Sequence, residues 1–377
     1  MRRPVILAGS ARIEDLFLKD TSTLFDETGG NTGNLAFRYG LASHTKGVVF
    51  SQWNTPVSEV RAAADILLLP LANQLGAHTD LGSLADRIEA FGLPLVGIGL
   101  GAQAPSADVD MTLTPGTERW LRTLIAHAPS DRPNVGVRGA YTQAQIAKLG
   151  LGDKVAVTGC PSNFINLHDD VAKQLAEGYR LKLRHIAVTA GIPYIPSLSG
   201  LEQQLAQLVT ATGGAYIVQH GKEMLHLARN EFDVLGSEKL ELCRAYIRPD
   251  LDLVGFRTWC RRHAYAFFDV PGWLDFLRRF DFVVGTRFHG AMLAMQVGVP
   301  AAVIAHDSRT YEMCTTMGVP VRFHTELDVP LTAQSLPELF PFDPDEFLAK
   351  RRTLHHSYSQ ILRDAQIDVV DPLKSMY

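Results

Sequence analysis

Short runs of aliphatic and β-branched residues recur along this chain, each followed by an amphipathic stretch long enough for a helix. In the first half the runs are "VILA" (5–8), "GVVF" (47–50), "ILLLPLA" (66–72), "PLVGIGL" (94–100), "VGVR" (135–138) and "VAVTG" (155–159). Helical patterns over 33–43, 80–91, 114–127 and 140–149 lie between them. Thr114-Pro115 reads as an N-cap and first helical residue, and Gly150 as a terminator. Residues 167–184 are polar and helical without a strand, as an interdomain connector would be. The alternation then resumes with "HIAVTAG" (185–191), "AYIVQH" (215–220), "AYAFFD" (264–269), "DFVVGT" (281–286) and "AAVIAHD" (301–307). From about Pro337 helix formers dominate, with Asp343 or Asp345 as the N-cap.

Strands that alternate with helices require parallel pairing, because each crossover helix returns the chain to the same end of the sheet. A length of 377 residues exceeds one ordinary core. The simplest architecture is α/β, with two Rossmann-like domains facing a central cleft: 1–170, 185–330, and a C-terminal helical segment over 331–377. Ligands then belong at the carboxyl ends of the strands.

Hydrophobic residues make up 46% and charged residues 20% of the chain, and the net charge is -4. No general basic field exists to hold nucleic acid, so an anionic ligand needs a local site. Cys160, Cys243, Cys260 and Cys314 form no C-x-x-C pair, which indicates neither a zinc site nor a disulfide framework. The apolar stretch in "MRRPVILAGS" is too short for a signal-peptide core, and the run 290–305 is interrupted by Gln296, Gly298 and Pro300. A cytoplasmic protein is expected, any membrane association being peripheral and at the inner face.

The stretch "DFVVGTRFHGAMLAMQVGVP" (281–300) reads as strand, elbow and helix, with the helix over 290–297. An elbow extended from Gly285 to His289 would send Arg287 and His289 to one side, beside a helix N-terminus that favours an anion. The plainer alternative is a structural ion pair for Arg287 and a backbone hydrogen bond for His289. Other strand ends carry polar residues too: Arg138; Ser162 and Asn163; Gln219, His220 and Lys222; Asp307, Ser308 and Arg309. Of these, Ser308 also fits a helix cap and Asp307–Arg309 a surface pair. The loop "TGGNTGNLAF" (28–37) suits backbone contact with a ligand or a helix cap by Asn31 or Asn34. "GIGLGAQA" (97–104) has the spacing G-x-G-x-G and is not a dinucleotide fingerprint.

The segment "VGTRFHGAMLAMQVGVPAAVIAHDSRTYEM" resembles the C-terminal signature of the polysaccharide pyruvyl transferase family, in which an Arg-x-His-Gly elbow follows one strand and Asp-x-Arg or Asp-x-Lys the next. "VGVRGAYTQAQIAKLG", "TGCPSNF" and "GNTGN" are similar to its N-domain motifs, so the resemblance spans about residues 28–320. The chain departs from the family at Gly139, where an acidic residue often follows the arginine. The resemblance implies a GT-B-like fold whose C-terminal helix packs back toward the first domain. It also implies transfer of pyruvate from phosphoenolpyruvate onto a sugar as a ketal. Such chemistry needs cations for phosphate and carboxylate and a group that moves protons. His289 is the expected general acid/base and Arg287 the main donor-binding residue; Arg138 and Arg309 take the second anionic group. Asp307, Asn31, Asn34, Gln103, Asn163, Gln219 and His220 are the remaining substrate-binding candidates. The first domain is expected to face the acceptor, free or lipid-linked, and the second the donor. No metal or cofactor is called for. A nucleotide-sugar glycosyltransferase on the same fold is the alternative, with Glu312 the nearest acid for a ribose. A catalytically silent glycan-binding protein is a third reading.

Overall fold

Alternate residues of the longer strands go to opposite faces of their sheet, and this parity builds two cores. In the computed structural model, which describes residues 2–103 and 109–376, the first sheet consists of β1 (Pro4–Leu7), β2 (Val49–Ser51), β3 (Ile66–Pro70), β4 (Leu95–Leu100), β5 (Val135–Val137) and β6 (Val155–Val157). All its pairings are parallel, in the order β2-β1-β3-β4-β5-β6. Leu67 and Leu69 of β3 join a core on one face with Val5, Leu95 and Trp120. Ile66 and Leu68 join another on the opposite face, continuous with the interior of the second domain.

The second sheet contains β7 (Ile186–Thr189), β8 (Ala215–Ile217), β9 (Ala264–Tyr265), β10 (Phe282–Gly285), β11 (Ala301–Ala305) and β12 (Val321–Phe323). Its order, β12-β11-β10-β7-β8-β9, is again wholly parallel. Counted within its own domain this is the 3-2-1-4-5-6 order of dinucleotide-binding folds, whereas the first sheet has the 2-1-3-4-5 order of flavodoxin-like ones, extended by one strand. The strand order reverses between β7 and β10 in one sheet and between β1 and β3 in the other.

The helix Pro344–Asp364 starts at Asp343, whose carboxylate accepts from Asp345 N and Glu346 N. It returns to the first domain. Tyr358 stacks on Phe164 and its hydroxyl lies 2.9 Å from His44 Nδ1, while Arg351, wholly buried, donates to the Asn163 carbonyl at 3.2 Å. Two Rossmann-like domains with a C-terminal helix crossing back is the GT-B arrangement expected above. Among the described residues no helix is long and apolar enough to cross a membrane.

Several boundaries differ from the expected ones. The connector is helical only over Val171–Gly178. β9 stops at Tyr265, because Asp269 caps the next helix by accepting from Gly272 N. β12 was not expected; it has three half-buried residues with Arg322 in the middle, too short for a periodic signal.

Candidate active site

β7 and β10 pair directly, and the chain leaving β10 must turn into a helix beside the end of β7. Gly285 permits the close approach. Its φ is 152°, and a Cβ there would come within 2.6 Å of Thr189 Oγ1. Thr189 in turn accepts from Thr286 N at 3.1 Å through its carbonyl and from Arg287 N at 3.3 Å through its hydroxyl. The helix runs Phe288–Gln296 with Arg287 as its extended N-cap residue. The elbow therefore ends two residues earlier than expected, and His289 lies inside the first helical turn. Arg287 and His289 still share one cavity, brought together by an N-cap and a first turn rather than by strand alternation.

That cavity measures about 90 Å³. The first domain contributes Asn31, Asn34, Asn73 and Arg138 to its walls, and the second contributes Gln219, Thr286, Arg287, His289 and Arg309. Arg138 is almost wholly buried and donates through Nη1 to Asn73 Oδ1 at 2.7 Å; burial pushes its pKa down to about 10. Burial likewise lowers the Arg287 pKa, opposed by the charge of Glu202. Arg138 Nε, Arg287 Nε, Gln219 Nε2 and Thr286 Oγ1 are buried without a hydrogen-bond partner. Orphaned donors are costly, and the four residues that carry them line one small space. His289 Nε2 lies 3.6 Å from Cys160 Sγ. Burial first, then the charges of Arg138 and Arg309, push its pKa down to about 3, so the imidazole is neutral at pH 7.

The other residues expected at the site fall into two groups. Asn31, Asn34, Arg138, Gln219 and Arg309 line the cavity. Neither asparagine caps the helix Asn34–His44, whose N-cap is Gly33; Asn31 Oδ1 accepts from Gly33 N at 2.8 Å, and Asn34 Nδ2 donates to the carbonyls of Thr28 and Gly29. Gln103, Asp307, His220 and Asn163 do not line it. Gln103 Oε1 accepts from Arg309 at 3.4 Å. Asp307, rather than Ser308, caps the helix Ser308–Met317 by accepting from Thr310 N, and it also pairs with Arg309 at 3.0 Å. His220 Nδ1 donates to the Gly30 carbonyl at 2.6 Å, tying the two domains. Asn163 is wholly buried with both amide atoms unpartnered. Ala104, which closes the glycine-spaced stretch, lies outside the described residues.

Three neighbours of the cavity were not expected from the sequence. Asn73 lies three residues beyond the end of β3 and Thr286 directly after β10, so the strand-end rule that found Arg138 would also have found them. Glu202 is wholly buried, accepts from Gly191 N at 3.1 Å and from the Tyr216 hydroxyl, and bears electrostatically on Arg287. An acid sharing a helical face with Leu205, Ala206 and Val209 was its signal. Glu312 accepts from Thr142 N at 3.1 Å and Thr142 Oγ1 at 3.3 Å, across the domain boundary. A Cβ on Gly139 would come within 2.5 Å of its Oε1. The acid missing after Arg138 is thus replaced in space by one from the other domain, and Glu312 is committed there rather than to a ribose.

The protein is GT-B-like, and its interdomain cleft gathers arginines, amides and one neutral histidine. A family model for polysaccharide pyruvyl transferase matches residues 65–308, and the chain belongs to that family. The match takes in Arg138, Gln219, Arg287 and His289. No curated protein matches the chain in sequence. Among solved structures, a UDP-N-acetylglucosamine 2-epimerase from Rickettsia bellii is similar at 12% identity over 97% of this chain and 96% of that one, with a TM-score of 0.47. MnaA of S. aureus, in its UDP co-structure, is similar at 11% identity over 96% and 98%, with a TM-score of 0.44.

Proposed function

We propose that this protein transfers pyruvate from phosphoenolpyruvate, as a ketal, onto a saccharide that is a precursor of a cell-surface or exopolysaccharide. The observation that carries this reading is the match between cavity and cargo. A space of about 90 Å³, walled by Arg138, Arg287 and Arg309, favours a small molecule with several negative charges. Taken by itself, this space falls below the 300–1,000 Å³ common for larger ligands such as a nucleotide sugar. The commitment of Glu312 to Thr142 also removes the acid that reading required.

In the reaction, a sugar hydroxyl adds across the C2=C3 bond of the enol; its oxygen bonds to C2 and a proton goes to C3. A second hydroxyl then attacks C2, the bond from C2 to the phosphate oxygen breaks, and phosphate leaves with the electron pair while the hydroxyl proton passes to it. Arg287 and Arg138 hold phosphate and carboxylate through planar forks. His289, the expected general acid/base, is kept neutral by its depressed pKa and so acts as a base before it is an acid. The neutral imidazole takes the hydroxyl proton and then delivers it to C3. Negative charge arriving beside Arg138 and Arg309 offsets their effect on His289 and raises its proton affinity for that step. Four buried, unpaired cysteines suit a reducing compartment, and we place the reaction in the cytoplasm or at the inner face of the membrane, on a free or lipid-linked acceptor.

Thermal unfolding with phosphoenolpyruvate, and separately with uridine and guanosine diphosphate sugars, tests the donor. Phosphoenolpyruvate at 100 times its dissociation constant is expected to stabilise the protein by about 2.7 kcal/mol. Stabilisation by nucleotide sugars alone would transfer the reading to a glycosyltransferase.

A further inference from the structure

A second cavity, of about 530 Å³, opens at the carboxyl ends of β1 and β3, where the strand order of the first sheet reverses. Leu7, Ala8 and Gly9 form one wall and Pro70, Leu71 and Ala72 another. Asn34 and Ala72 line both this cavity and the one holding His289, so the two adjoin. One turn along the helix from Asn34, Arg38 enters the larger cavity at only 9% exposure. Its Nη1 donates to the carbonyls of Glu27, at 3.1 Å, and Ser10, at 3.5 Å. Among the described residues no carboxylate pairs with it. Burial is the sole influence on its pKa, lowering it to about 10. Glu27 lines the same cavity but its carboxylate is engaged by Lys19 at 2.9 Å, and Asp26 lies exposed at the rim. Trp120, 1% exposed, adds an indole N–H with no partner, and half-buried Trp53 offers an aromatic surface beside Gln52 and Gln74.

We infer that this cavity is the acceptor site and that the acceptor is an acidic saccharide whose oxyanion is received by Arg38. The inference rests on the reading of the adjoining cavity as the donor site. A guanidinium removed from water without a counter-charge is costly, and the cost is recovered when an anion enters. Two backbone carbonyls satisfy Nη1, and among the described residues no hydrogen bond is made by the rest of the fork of this cavity-lining residue. The position follows the rule that ligands of open α/β sheets bind at the reversal of strand order, here in the first domain as Arg287 does in the second. Trp53, Gln52 and Gln74 supply the aromatic face and neutral amides that sugar rings and hydroxyls use. The oxyanion is either the carboxylate of an acidic sugar or the phosphate through which a saccharide is joined to its carrier.

Titration calorimetry of the full chain with methyl glucuronide, glucose 1-phosphate and methyl glucoside tests this, using the wild type, Arg38→Gln and Arg38→Lys. At least one acidic probe is expected to bind the wild type about tenfold or more tightly than the neutral one, without competition from phosphoenolpyruvate. Arg38→Gln abolishes that preference and Arg38→Lys keeps part of it, while the thermal shift by phosphoenolpyruvate is unchanged in both. The preferred acidic probe separates carboxylate from phosphate. Equal binding of acidic and neutral probes, no binding by any probe, or an acidic preference that survives Arg38→Gln overturns the inference. If the variants fold poorly, the comparison of probes on the wild type decides, with quenching of Trp53 and Trp120 fluorescence locating the bound probe. Loss of the phosphoenolpyruvate shift alongside an intact acidic preference counts against the donor reading alone.

Discussion

His289 lies between the rings of Phe37 and Phe288 with its Nε2 facing the Cys160 thiol, an environment that holds it uncharged far below neutral pH. Its folded pKa, about 3, is below the ordinary value of 6.5, so between those values the unfolded chain binds the extra proton. The stability this contributes is complete above about pH 6.5 and is lost as pH falls toward 3. His289→Gln should therefore flatten the acid side of a stability curve measured by urea unfolding from pH 7 to pH 4. The same variant should bind phosphoenolpyruvate nearly as the parent does yet turn over about 10²–10⁴-fold more slowly. Normal turnover in a folded His289→Gln protein would reduce the histidine to an anchor of the turn. Arg287→Ala should weaken donor affinity by about 10- to 100-fold, the scale of a charge-assisted hydrogen bond, and Arg287→Lys should recover little of it. A melting temperature that falls in step with activity in both arginine variants would instead mean a structural role. That an arginine and a histidine two residues apart face one cavity was legible in the sequence. The neutrality of the histidine was not, because it comes from tertiary burial and from the charges of Arg138 and Arg309, both distant along the chain.

At the scale of single elements, the strand-to-helix turns carry the design. Gly285→Ala would drive a methyl group into Thr189, and chemical denaturation should show a loss of about 3 kcal/mol or more. The turn after β5 allows a sharper test. Gly139→Asp restores the acid common in the family, but its side chain would collide with Glu312. The variant should lose about 1–3 kcal/mol, and Glu312→Ala in the same protein should recover part of it, since overpacking and repulsion are both relieved. Additive losses in the double variant would show that the two positions do not share the space. Strands such as β3 and β10 were plain in the sequence because every residue in them is buried or nearly so. β12 and the end of β9 were not, because at a sheet edge half the environment is solvent and the apolar pattern thins. The start of the helix at Phe288 was displaced because the residues of its first turn obey the cap and the packing of Thr189 rather than their own periodicity.

Across the whole molecule, one core runs from Ile6 and Leu68 beneath the first sheet, through Phe164 and Tyr358, to Val284 and Ile304 in the second. Domains that share a hydrophobic core unfold together, so calorimetry should show a single transition, with phosphoenolpyruvate raising it as one unit. Two transitions, only one of them moved by ligand, would mean that the halves melt independently. The alternation of strand and helix along the sequence determined two parallel α/β halves, because a buried parallel sheet leaves its composition in every strand. It also placed Arg138, Gln219, Arg287 and Arg309 at strand ends. Only the tertiary structure decided which of those ends meet. His220 and Asp307 sit at strand ends of the same kind, yet one ties Gly30 and the other caps a helix. Arg38 lies mid-helix, where nothing local distinguishes it from a solvated arginine. Its burial beside an open cavity depends on the order of strands in the sheet, and strand order is fixed by long-range packing that no stretch of sequence contains.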